Sequence, residues 1–165
     1  MSSLAKVFRS IHFWLFVATF LSVCFAGAKF TESFDVQNLL TIFNGWPFAV
    51  SLMFILLSHE MGHYAMSRKW GVRVTLPYFV PMPIFPIGTL GAFIVIKDPP
   101  SNRNALFDIG AGGPWAGILA TAVLNLMAKT LISDNYYLPL LYLAIFIGLL
   151  VTLLNLFPCG SLDGG

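Results

Sequence analysis

His59, Glu60 and His63 stand in the order H-E-x-x-H within SLMFILLSHEMGHYAMS, residues 51–67. If that stretch is helical, positions i and i+4 share one face about a turn apart. Two imidazoles can then point at a single metal ion. Glu60 lies beside them, placed to take a proton from a water held there, which is the mechanical content of the zincin motif. The setting sharpens this reading, because every residue from Phe48 to Leu57 except Ser51 is apolar. A charged group at the centre of a membrane-spanning helix costs roughly 2.5–3.5 kcal/mol, so such groups usually mark function. A short motif can also arise by chance, and a His on an apolar face is more often a satisfied core residue than a ligand. A third candidate ligand and the intramembrane setting favour the metal site.

The elements that must position these residues follow from composition. The chain has 165 residues, of which 58% are hydrophobic and 10% charged, with a mean hydropathy of +0.82. That is more apolar surface than a soluble domain of this size can bury, and it points to a multi-span membrane protein. A span takes about 20 residues, so about four fit. The net charge of +2 is too small to suggest nucleic-acid binding. Cys24 and Cys159 fall near opposite membrane faces, and no disulfide is expected.

Lys6 and Arg9 precede an apolar run at residues 11–28, long enough to span. Ala26-Gly27-Ala28 also resembles a signal-peptidase site; the length of the run favours a retained helix. The positive-inside rule puts the N-terminus in the cytoplasm on either reading. His12 reads as interfacial filler, with metal ligation a distant second. A second helix, about 46–66, starts at an interfacial Trp46 and runs inward to Arg68, Lys69 and Arg73. Met61 and Lys69 are about 12 Å apart along such a helix at 1.5 Å per residue. The histidine pair is therefore expected inside the bilayer but nearer its cytoplasmic face.

Residues 76–96 are apolar but carry Pro77, Pro81, Pro83 and Pro86, with Gly88 and Gly91. Proline removes amide donors and clashes with the preceding turn, so an ordinary helix is excluded, and Leu90–Ile96 reads as a strand. Irregular backbone at membrane depth must be buried in protein or line a wet cavity. The expectation is a re-entrant β-hairpin or loop beside the metal site, against the plainer reading of an irregular amphipathic surface segment. A third helix, about 106–129, runs outward. Its Gly113-x-x-x-Gly117 permits close helix approach, and packing is its expected role. A fourth, about 138–157, runs inward and ends in NLFPCGSLDGG at residues 155–165. Helices two and four then end at the same depth, bringing Asp163 level with His59 and His63. Two His and one carboxylate, with a position left for water, make an open catalytic zinc site rather than a closed structural one. Pro158 and the glycines around Asp163 let the backbone turn it toward the metal. The plainer alternative for Asp163 is a solvated carboxylate near the end of the chain. Asn155 can hydrogen-bond a substrate backbone or Asp163, or serve helix packing.

His59-Glu60-Met61-Gly62-His63 on one span, with Asn155-x-x-Pro158-x-x-x-Leu162-Asp163-Gly164 after another, resembles the site-2 protease family of intramembrane zinc metalloproteases. Gly113-Pro114-x-x-Gly117 also fits that family's glycine-rich helix. The likeness runs from about Trp46 to the end, and the two motifs in this order are specific where either alone is weak. It implies one Zn²⁺ per chain held by His59, His63 and Asp163, with Glu60 as catalytic base and Asn155 as an active-site polar residue. It also implies that the inserted β segment meets an unwound substrate, and Gly91, Ala92 and Phe93 are the residues expected at that edge by strand addition. The partners implied are transmembrane proteins, single-span ones above all, within the lipid bilayer; no nucleic acid is expected, and the oligomeric state is open.

The fold expectation is an all-α polytopic membrane protein with about four transmembrane helices and a small membrane-associated re-entrant β-hairpin or loop. Residues 1–165 are expected to form a single protease core in the cytoplasmic membrane, with the N-terminus and site towards the cytoplasm; the same topology also fits an organellar membrane. Family members continue past the Asp motif, so truncation at the C-terminus is expected. The functional alternatives are a non-catalytic membrane metal-binding or metal-transport protein, or a silent scaffold. Transport favours polar ligands strung across the bilayer, whereas here they gather near one face. Pure metal binding has no need of Glu60.

Overall fold

The computed structural model describes residues 10–31, 34–35, 37–100, 102–131 and 137–155. Within them are four α-helices and a two-stranded antiparallel hairpin. Helix α1 is Ile11–Ala28. A 3₁₀ helix at Leu39–Gly45 leads into α2, Trp46–Lys69. The hairpin is β1 (Tyr78–Pro81) and β2 (Thr89–Phe93), and α3 (Arg103–Leu131) and α4 (Leu138–Leu154) follow. Segments Ile11–Ala28, Leu39–Lys69 and Arg103–Thr130 are long and apolar enough to cross a membrane, and α4 is a shorter apolar helix. In lipid, a helix satisfies its backbone within its own segment.

Helix ends follow local chemistry more than the limits of the apolar runs. Pro47 and Pro139 occupy the first turns of α2 and α4, where no intrahelical amide is needed. Arg68 and Lys69 fill the last turn of α2, where cations suit the helix dipole. That carries α2 three residues past the expected limit of 66. Asn102 accepts a hydrogen bond from the Ala105 amide at 2.8 Å, so α3 starts at Arg103, earlier than the apolar run suggested.

The core joins α1, α2, α4 and β1 through buried Val23, Phe48, Leu52, Phe79 and Ala144. A smaller cluster of Ala128, Leu141 and Ile145 joins α3 to α4. Trp46 and Tyr137 meet at 5.9 Å where α2 and α4 begin, and Gly148 of α4 faces Ile55 of α2 further along. The two helices therefore run parallel, as the topology read from sequence requires.

The hairpin lies along α1. His12 Nδ1 is 3.1 Å from the Pro77 carbonyl, and its ring sits 4.2 Å from that of Tyr78. His12 is thus a hairpin contact rather than interfacial filler. Phe16 meets Phe79 edge-on at 5.2 Å. At the far end the Ser22 hydroxyl donates to the Gly88 carbonyl. From His12 to Ser22 is about 15 Å of helix at 1.5 Å per residue, so the hairpin reaches well into the apolar slab defined by α1. Its outermost residue, Ile84, is 91% exposed.

The strand is shorter than Leu90–Ile96. Tyr78 pairs with Phe93 and Phe79 with Ala92, and a register shift precedes Pro81 and Thr89. The Thr89 hydroxyl bridges the irregularity, donating to the Val80 carbonyl and accepting from the Gly91 amide, each at 2.9 Å. Gly91 has φ +104°, a conformation that costs other residues strain. The ladder resumes as an isolated Val74–Ile96 bridge. Beyond it the Arg73 guanidinium donates to both carboxylate oxygens of Asp98 at 2.7 and 2.9 Å. Those hydrogen bonds hold the exposed Asp98 carboxyl below the usual carboxylate range.

Gly88 has φ +80°, and a Cβ there would collide with the Ser22 carbonyl oxygen and the Val23 Cα. Neither backbone atom can move aside as a side chain can. Gly88→Ala is therefore expected to lift the hairpin tip from α1 and cost about 1–3 kcal/mol. Ser22→Ala, which removes one hydrogen bond, costs nearer 1 kcal/mol. Thermal unfolding in detergent, with protease sensitivity of residues 82–88, checks the order; equal effects would contradict it.

Candidate metal centre

The C-terminal half of α2 carries three polar side chains against the protein interior. His59, Glu60 and His63 are 3%, 7% and 6% exposed. Helical spacing alone puts the two imidazoles on one face. The rest of their geometry comes from α3 and α4.

Two glycine faces let α3 come close. A Cβ on Gly62 would collide with the Gly112 carbonyl, and a Cβ on Gly112 would reach Met66 and the Gly62 carbonyl. Bare backbone therefore meets bare backbone at the crossing, as small residues allow in membrane helices. One residue further, Gly113 faces the His63 ring so closely that a Cβ would overlap Nε2. A Cβ on Gly117 would lie 2.6 Å from Thr152 Oγ1 and 3.2 Å from His59 Nδ1. Gly113 and Gly117 thus line the histidine pair as well as forming a packing face, where the sequence favoured packing over a direct part in the chemistry.

His63 Nδ1 stands 2.7 Å from the Ile109 carbonyl oxygen. A carbonyl only accepts, so Nδ1 carries the proton and Nε2 presents a lone pair. That atom is 3.2 Å from His59 Nε2, and the rings are tilted at 71°. Two nitrogens bound at about 2.0–2.1 Å in a tetrahedral site stand about 3.3–3.4 Å apart. Two buried ring nitrogens that converge at this spacing fit a shared cation. A backbone carbonyl holding the other nitrogen is the usual arrangement behind a ligating His.

Asn155, directly after α4, brings its side-chain amide nitrogen to 3.3 Å from His59 Nε2. Residues 96 positions apart thereby meet at the same nitrogen. Asp163, the carboxylate expected as third ligand, lies outside the described residues. Among the described residues no third His, Cys, Asp or Glu joins the pair as a metal cage. Gly91, Ala92 and Phe93 lie on β2, whose second edge carries no strand among the described residues. The Ile109 carbonyl left no trace in the sequence, since any residue supplies one; only the neighbouring glycines and Pro114 hinted that this part of α3 is special.

The family model for peptidase family M50 matches residues 47–134. The chain belongs to this family. The match begins at the start of α2 and takes in the histidine pair, the hairpin and α3; α1 and Asn155 lie outside it. A probable chloroplastic zinc metalloprotease of Arabidopsis thaliana is 29% identical over 168 residues, covering 81% of this chain and 30% of its own length. A second such protein, of Oryza sativa subsp. japonica, is 34% identical over 84 residues, half of this chain and 14% of its own. A zinc metalloprotease of Methanocaldococcus jannaschii is 30% identical over 122 residues, 73% of this chain and 33% of its own. The chain spans a third or less of the length of these relatives. Membership in M50, the site-2 protease family, agrees with the resemblance carried by H-E-x-x-H and the Asn155–Asp163 segment. The four helices and small hairpin agree with the fold expected.

Proposed function

We propose that this chain is the core of an intramembrane zinc metalloprotease that hydrolyses peptide bonds in or near transmembrane segments of other membrane proteins. The observation that carries this is the buried pair of Nε2 atoms, 3.2 Å apart, with a buried carboxylate next to them on the same helix. Family membership and the names of the relatives support the same reading. His59, His63 and Asp163 hold the metal, one Zn²⁺ per chain. The chemistry supplied by bound zinc is Lewis acidity: a polarised carbonyl, and water acidic enough to attack near neutral pH.

The chain's own groups do the rest. Glu60 removes a proton from the attacking water and returns it to the leaving amine. The His63 Nδ1–H keeps its proton and donates to the Ile109 carbonyl, which keeps Nε2 aimed at the metal. The Asn155 amide donates to the substrate backbone once the substrate is seated. A helical substrate hides its peptide groups, so it must unwind locally. The open edge of β2 at Gly91, Ala92 and Phe93 then offers backbone partners to a single extended strand. The site opens towards the cytoplasm in this arrangement, near Arg68 and Lys69, consistent with the positive-inside rule.

The test pairs metal content with cleavage of a single-span substrate by the detergent-purified chain. About one zinc per chain is expected, and Asp163→Ala should weaken it by more than the roughly 10–100-fold that a group behind a ligand is worth. Zinc bound at wild-type affinity by Asp163→Ala would remove Asp163 from the site. Zinc without cleavage would favour a metal-binding protein, and flux of zinc into liposomes would identify a transporter.

A further inference from the structure

The bond from His63 to the Ile109 carbonyl joins two helices that meet through glycine backbone. At Gly62 and Gly112 backbone meets backbone, which fixes how near α3 lies but does little to stop it sliding or turning. A carbonyl is useful to His63 only within a few tenths of an ångström and a few tens of degrees. Something directional must therefore hold this part of α3 in register.

The structure supplies one such tie. Trp70 Nε1 donates to Asp108 Oδ2 at 3.0 Å. Asp108 immediately precedes Ile109, so its position sets both the height and the rotation of that carbonyl. Trp70 directly follows α2, and its own amide is held by the Met66 carbonyl at 3.1 Å, so the indole is mounted on the frame that carries His63. Pro114 lies inside α3 and lacks the amide that would otherwise hold the Gly110 carbonyl. The helix is thus weakened just where its register matters, and the bond at Asp108 compensates on the near side.

We propose that Trp70 and Asp108 are positioning residues of the metal centre: their hydrogen bond sets the carbonyl that orients His63, and through it the affinity for zinc. The inference rests on the metalloprotease reading. It concerns a pair outside the H-E-x-x-H and Asp motifs, and it can fail while that reading stands.

The experiment measures zinc affinity of the purified full chain by competition with a chromophoric chelator, and the visible spectrum of the Co²⁺-substituted chain. Trp70→Phe keeps an aromatic ring and removes the donor; Asp108→Ala removes the acceptor; Asp108→Asn keeps an oxygen that accepts from the same indole. Outer groups behind a ligating His are worth about 10–100-fold in metal affinity. One step further out, Trp70→Phe and Asp108→Ala should each weaken zinc about tenfold and shift the Co²⁺ bands. The double variant should be no weaker than either single one, because the same bond is lost only once. Asp108→Asn should restore most of the affinity. Wild-type zinc affinity and an unchanged Co²⁺ spectrum in Trp70→Phe overturn the proposal, as do additive losses in the double variant. A wild-type chain that binds no zinc overturns the metalloprotease reading and this inference with it.

Discussion

Glu60→Gln should bind zinc like the wild type and cleave about 10²–10⁴-fold more slowly, the range expected for loss of a positioned general base. The substitution keeps the shape of the side chain and removes its capacity to take a proton. Glu60 is 7% exposed, on a helix that is apolar for ten residues from Phe48 to Leu57 apart from Ser51. A buried carboxylate is costly there, so the neutral amide should leave the melting temperature unchanged or raise it. Loss of activity with equal or greater stability is the pattern of a group retained for chemistry. A structural Glu60 would give the opposite, lower stability with cleavage roughly intact. Single-turnover cleavage beside thermal unfolding in detergent separates the two outcomes.

Gly113→Ala should weaken zinc binding on the order of 10²-fold. The added methyl would occupy the space of His63 Nε2. The imidazole cannot swing away without giving up the 2.7 Å bond from Nδ1 to the Ile109 carbonyl. Nor can α3 retreat without giving up the close packing of Gly112 on Gly62. Overpacking of this kind costs about 1–3 kcal/mol in stability, and a misdirected ligand costs on the order of 10²-fold in metal affinity. Leu119→Ala, on the outward side of the same helix at 66% exposed, is the control and should bind zinc normally. Metal content after dialysis decides the matter; a Gly113→Ala chain that retains its zinc would mean that the glycine wall is packing and nothing more.

The sequence was most legible where a single element carries the whole message. H-E-x-x-H needs only a helix to bring two imidazoles to one face, and helical spacing is local. The spans were legible because burying backbone in lipid leaves few options besides a helix. Four prolines and two glycines at residues 77–91 excluded a helix and made a hairpin the natural alternative. Its register was not legible. The continuous strand ends at Phe93 and pairing resumes only at Ile96, while at its other end Thr89 bridges an irregular rung and Gly91 takes a positive φ. Those choices depend on what β1 presents opposite, which no window of β2 contains.

His12 and Ser22 were misjudged or passed over for the same reason. Each meets a hairpin carbonyl 65 or 66 residues away, and a carbonyl has no residue type by which to announce itself. Gly113 and Gly117 were visible as a small-residue face, but a spacing does not say what fills the room it leaves. That the occupants are a partner backbone at one level and the histidine rings at the next is a fact of helix rotation and height.

By itself, then, the sequence determined a membrane-embedded, largely helical chain with a paired-histidine motif, because apolar length and i, i+4 spacing are properties of one segment. Only the tertiary structure decided which atoms finish the site. The Ile109 carbonyl, the Asn155 amide and the glycine wall come from α3 and the end of α4. Their positions depend on how close the helices approach and how each is turned about its axis, which is set by packing across the bundle.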